Sequence, residues 1–185
     1  MKIYLRDRNA MLCAEWATRI PSADVEQGDI FARPAEAIVS PANSFGFMDG
    51  GIDLAYSQRF GWDVQARLQG IIRDEFDGEI LVGQAVTLPT FDEDFPHLIC
   101  APTMRIPKII EDPNAIYLAT RAAIRCAVKS GFDSILFPGM GTGCGQVKPE
   151  WAAAMMAAGV ADGLNPPGYP QSWAEASQRH YGCRP

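Results

Sequence analysis

The sequence has little histidine and no paired cysteines. His97 and His180 are its only imidazoles, and Cys13, Cys100, Cys126, Cys144 and Cys183 are odd in number, widely spaced and without a C-x-x-C pair. A zinc site needs clustered thiolates or imidazoles, and a disulfide framework needs an even, patterned set. Neither is expected here, and no metal or cofactor is assigned. Long apolar runs are missing too: no stretch approaches the ~18 residues of a membrane span. The opening MKIYLRDRNAML scatters charges where a signal peptide has an apolar centre, so the expected location is the cytosol. Positive charge is the third shortage. The 16 Lys and Arg face 22 Asp and Glu, a net charge of −6 at pH 7. Counterion-driven nucleic-acid binding requires clustered cations, so neither nucleic acid nor membrane is an expected partner.

What is present suits one well-cored domain spanning residues 1–185. The chain is 48% hydrophobic and 21% charged, and it shows no repeat, low-complexity tract or dividing linker. Strands are predicted at 2–5, 24–27, 37–39, 85–88, 97–101 and 134–137, each short and most of them apolar. Helices are predicted from an Asn9 cap to Arg19, over 52–60 and 62–76 with Gly61 as the break, after Asp112-Pro113 to Ser130, and from Pro149 to about Asp162. Beyond Gly163 the stretch LNPPGYP can neither continue a helix nor donate a regular ladder. Ser172 and Glu175 then form a capping box for a last short helix, and residues 163–185 read as a surface arm. Strands alternating with helices predict an α/β fold, a three-layer sandwich around a mainly parallel sheet of about six strands.

Two loops carry the chemistry. After the strand at 37–39, SPANSFGFMDGGID brings Asn43, Asp49, Gly50, Gly51, Ile52 and Asp53 to the start of a helix. Open α/β sheets bind ligands outside the carboxyl ends of their strands, and a helix N-terminus there favours an anion. The strand at 134–137 likewise empties into PGMGTGCG, in which Gly139, Gly141, Gly143 and Gly145 leave backbone amides bare and Thr142 adds a hydroxyl. A phosphate or diphosphate suits both loops. With so few cations in the chain, it would be held by backbone amides and helix ends. Cys144 sits inside the second loop without a nearby His to activate it, so its first reading is steric. A dinucleotide or methyltransferase loop would follow the first strand, with an acidic residue ~20 positions on; here the glycines follow the last predicted strand.

Five motifs in order, Gly28-Asp29-Ile30, residues 37–44 (AIVSPANS), Gly50-Gly51-Ile52-Asp53, Gly83-Gln84-Ala85 and residues 137–143 (FPGMGTG), resemble those of macrodomains over roughly 24–161. The resemblance implies binding of ADP-ribose or a derivative. It implies that Asp29 accepts the adenine amino group and the Ile30 backbone serves the ring edge. Gly50, Gly51 and Ile52 on one side, with Gly141, Thr142, Gly143, Cys144 and Gly145 on the other, would present amides to the diphosphate. Asn43 would face the terminal ribose and Asp53 its anomeric carbon, as the matching pair does in hydrolytic members. The family's usual Asn-Ala-Ala-Asn is Ser40-Pro41-Ala42-Asn43 here, so its first Asn is replaced. Asp49 stands in a loop where many hydrolases carry a longer glycine run, and its first reading is a solvated turn. Two classes of function follow: a hydrolase releasing ADP-ribose from a modified side chain, an acetyl ester or a 1″-phosphate, or a reader that binds without turnover. A methyltransferase-like nucleotide enzyme is the remote third.

Overall fold

The structure, a computed structural model, describes residues 1–182; Cys183 lies outside the described residues. In chain order the elements are β1 (Lys2–Asp7), α1 (Ala10–Arg19), β2 (Asp24–Gln27), a single 3₁₀ turn (Ile30–Ala32), β3 (Ala37–Ser40), α2 (Gly51–Phe60), α3 (Asp63–Glu75) and β4 (Val86–Pro89). Then come β5 (His97–Cys100), α4 (Asn114–Ser130), β6 (Ser134–Phe137), α5 (Pro149–Leu164) and α6 (Trp173–Tyr181). The six strands form one sheet in the order β2-β1-β6-β3-β5-β4, parallel except for β4 at the edge, which runs antiparallel to β5.

Side chains alternate across the strands, and both faces are covered. Ile3, Leu5, Val39, Ile99, Ile135 and Phe137 pack beneath α1, α4 and α5; Tyr4, Ile38, Leu98 and Leu136 face α2 and α3. This makes a three-layer α/β/α sandwich. Because β1 lies inside the sheet between β2 and β6, four of its six positions are buried, where an alternating strand would leave one face wet. It also runs two residues beyond the predicted Leu5, as far as Asp7. That extension matters for the site, since it carries Asp7 and Asn9 to the carboxyl edge of the sheet.

Local signals explain most boundaries. The Asn9 side chain accepts hydrogen bonds from the N–H groups of Met11 and Leu12, and Gly131 closes α4 in the left-handed conformation. The Ser172 hydroxyl accepts from Glu175 N–H, while the Glu175 carboxylate accepts from Gln171, one residue ahead of the cap. α6 buries none of its side chains. Among the described residues, no helix is long and apolar enough to cross a membrane, and no cluster of three or more His, Cys, Asp or Glu side chains could hold a metal ion.

Candidate functional site

The carboxyl ends of β1, β6 and β3 and the segment after β5 open into one cleft of about 650 Å³. Asn43, Gly50, Gly51, Ile52 and Asp53 line it from the β3–α2 side, and Gly141, Thr142, Gly143, Cys144 and Gly145 from the β6–α5 side. Two remote loops therefore face each other because β3 and β6 are neighbours in the sheet.

The amides in these loops are available. In α2 the first helical hydrogen bond runs from Leu54 N–H to Gly50 C=O, which leaves the N–H groups of Gly51, Ile52 and Asp53 at the open end of the helix. Among the described residues, the N–H groups of residues 141–145 also donate no hydrogen bond, although Gln146 and Val147 donate back to the carbonyls of Gly143 and Gly141. The glycines of this loop do different jobs. Gly141 has φ of +71°, and at Gly145 a Cβ would stand 2.5 Å from the Gly141 carbonyl oxygen. Gly143 has open space where its Cβ would be, so its missing side chain clears the cleft itself.

Asp53 sits in the first turn of α2 and is 7% exposed. Ser40, at the end of β3, donates its hydroxyl to Asp53 Oδ1 at 2.5 Å. Burial pushes the Asp53 carboxyl up to about 7, and the Ser40 hydrogen bond offsets part of that rise. Tyr56 and Cys100 lie fully buried close by, and both are pushed well above their ordinary values, first by burial and then by the Asp53 charge. The serine that replaces the expected asparagine thus holds the carboxylate.

Asn43 lines the cleft, but its side chain works on its own loop. Its Oδ1 accepts from Phe45 and Phe47 N–H, and its Nδ2 donates to the Phe47 carbonyl at 2.8 Å. Gln65 and Ser57 hold Met48 from α3 and α2, so the loop's path is fixed on both sides.

Asp29 and Ile30 do not line the cleft. β2 is the outermost strand, one place beyond β1. There the Asp29 carboxylate caps the 3₁₀ turn by accepting from Phe31 N–H and lies 3.7 Å from Arg8, while Ile30 is buried in the α2/α3 layer. Asp7 and Asn9 border the cleft at that end instead. Asp7 accepts from Asn9 N–H at 2.8 Å and from Gly139 N–H at 3.1 Å, tying the start of α1 to the glycine loop. Thr103, Met104 and Pro107 close the opposite end, after β5. Sequence reasoning missed these five residues. Their only signal was position after a strand, and for Asp7 it was hidden by ending β1 too early. Phe47 and Asp49 also reach the cleft, and both are exposed.

The family model described as "Macro domain" matches residues 39–156. An uncharacterized protein of Aquifex aeolicus is 36% identical over 71% of this chain and 76% of its own. Among solved structures, the macrodomain of Mycobacterium tuberculosis DarG aligns with a TM-score of 0.64 at 22% identity, covering 74% of this chain and 88% of that one. A mutant Oceanobacillus iheyensis macrodomain with ADPR aligns with a TM-score of 0.66 at 20% identity, covering 83% and 87%. The family match spans more than half of the chain and both loops of the cleft, and the chain belongs to the macro domain family.

Proposed function

We propose that this macro domain binds ADP-ribose along the cleft and hydrolyses a bond at the terminal ribose. The observation that carries the reading is the convergence of two sets of unengaged backbone N–H groups, at the α2 N-terminus and in residues 141–145, beside the Asn43 and Asp53 pair. Such a double cradle suits a diphosphate, and no cationic side chain is needed to hold it. The solved mutant Oceanobacillus iheyensis macrodomain with ADPR and Thermosipho africanus DarTG in complex with ADP-ribose support the choice of ligand. In this reading adenine lies toward Asp29 and Ile30, beyond Asp7, and the terminal ribose toward Asn43 and Asp53; the position of β1 and β2 on one side of β6 and of β3 on the other is consistent with that direction.

For a side-chain linkage, the oxygen of water bonds to the anomeric carbon as the bond to the leaving group breaks. One water proton leaves through Asp53 and the leaving group gains a proton, giving ADP-ribose and the free side chain. With its value near 7, Asp53 can take up and return that proton close to neutrality. Ser40 fixes its orientation. Asn43 shapes the wall against which the ribose rests.

A reader without turnover is the second reading. It is favoured by the 7% exposure of Asp53 and by the commitment of the Asn43 side chain to its own loop. Single-turnover assays on mono-ADP-ribosylated carboxylate, acetyl-ester and 1″-phosphate substrates decide between the two, with calorimetric titrations of ADP-ribose and S-adenosylmethionine alongside. The expected result is binding of ADP-ribose well ahead of S-adenosylmethionine, together with turnover of at least one substrate. Asp53→Asn should slow that turnover by about 10² to 10⁴-fold while ADP-ribose affinity stays within a few-fold. Binding with no turnover of any substrate establishes the reader, and tighter binding of S-adenosylmethionine removes the ADP-ribose reading.

A further inference from the structure

We propose that the cleft selects substrates by the charge on the terminal ribose, admitting a neutral or cationic substituent and rejecting a phosphorylated one. The proposal rests on the ADP-ribose reading above and names the substrate class of the same site.

Among the described residues, no Lys, Arg or His lines the cleft, whereas three carboxylates do: Asp7, Asp49 and Asp53. Two of the neighbouring cations have acidic partners of their own. Arg105, next to Met104, is held by both carboxylate oxygens of Glu79 at 2.6 and 3.1 Å. Arg8 lies against Asp29, and Lys108 stays outside the lining. Among the described residues, that leaves the backbone amides to neutralise an anionic ligand, and on the ADP-ribose reading the diphosphate takes them up. A further phosphate on the ribose would find no counter-charge.

The three carboxylates are not equivalent. Asp7 has one oxygen on Asn9 N–H and the other on Gly139 N–H, at the nucleoside end. Asp53 is buried and held by Ser40. Asp49 is exposed and has no hydrogen bond or ion pair among the described residues. It directly precedes Gly50 and Gly51 and shares a wall with Asn43 and Phe47 on the β3 side, where the ADP-ribose reading puts the terminal ribose. A free carboxylate there repels a phosphate dianion and attracts or tolerates a cationic or neutral group, so specificity arises from an unfavourable contact with the wrong ligand.

The test is calorimetric titration of the full chain with ADP-ribose and with ADP-ribose 1″-phosphate, at low and high salt. Wild type should bind ADP-ribose at least about tenfold more tightly at low salt, and salt should narrow the ratio by screening. Asp49→Asn should bring the ratio to within about threefold, and Asp49→Lys should invert it. Each ratio is measured within one variant, so a general loss of stability cannot imitate the effect. Equal affinities in wild type, or a ratio unmoved by both substitutions, overturn the proposal alone. Binding of neither ligand overturns the ADP-ribose reading and this proposal with it.

Discussion

Asp53 is an acid kept out of water, and its surroundings give it a measurable pH signature. A folded-state value of about 7, against an ordinary 3.8, means that the unfolded chain releases this proton first as pH rises. The stability it contributes is therefore fully present below about pH 4, is lost as pH climbs toward 7, and changes no further above that. Asp53→Asn carries no such proton. It should flatten this part of the stability curve, leaving the variant up to a few kcal/mol more stable than wild type at about pH 8 and close to it at about pH 4. Urea unfolding across that range checks the expectation, and parallel curves would refute it. The Ser40 hydrogen bond acts in the opposite sense to burial, so Ser40→Ala should move the same titration upward.

At the scale of elements, the glycine loop after β6 separates folding from binding within seven residues. A Cβ at Gly145 would collide with the Gly141 carbonyl oxygen at 2.5 Å and with Ile110 Cδ1 at 2.7 Å, and the first of these is backbone that cannot swing away. Gly145→Ala should lower stability by about 1–3 kcal/mol, the range for overpacking a tight site. At Gly143 a Cβ meets nothing within 4 Å, so Gly143→Ala should stay within about 0.5 kcal/mol of wild type. Because Gly143 lines the cleft, on the ADP-ribose reading its added methyl group should weaken ADP-ribose binding several-fold. Thermal unfolding and calorimetry on both variants test the contrast; a Gly143→Ala protein that binds normally would show that the ligand lies elsewhere.

At the scale of the molecule, the two apolar layers on either face of the sheet hold the cleft-forming strand ends in register. Trp16 is fully buried in the α1/α4/α5 layer and donates its indole N–H to the Met156 sulfur of α5. Trp16→Ala would remove the largest side chain joining α1 to α5 and should cost about 3–5 kcal/mol in denaturant unfolding. Because α1 begins at the Asp7–Asn9 end of the cleft, the same substitution should loosen that end before the α2 side.

The sequence alone determined the kind and place of nearly every element, because period and capping are local. Residues 24–27 and 134–137 read as strands for that reason, as did the Asn9 cap, the Gly131 stop and the two loops after β3 and β6. Ten of the twelve proposed site residues, from Asn43 to Gly145, line one cleft because strand ends carry loops to a common edge. What tertiary structure decided was which strands are neighbours. β1 pairs with β6 across more than a hundred residues, which brings Asp7 and Asn9 to the cleft and leaves Asp29 one strand further out. It also decided where the Asn43 side chain points, that Asp53 is held by Ser40 and driven toward neutrality, and that Asp49 meets no cation among the described residues. These properties depend on desolvation and on partners far away in the chain, and neither periodicity nor spacing encodes them.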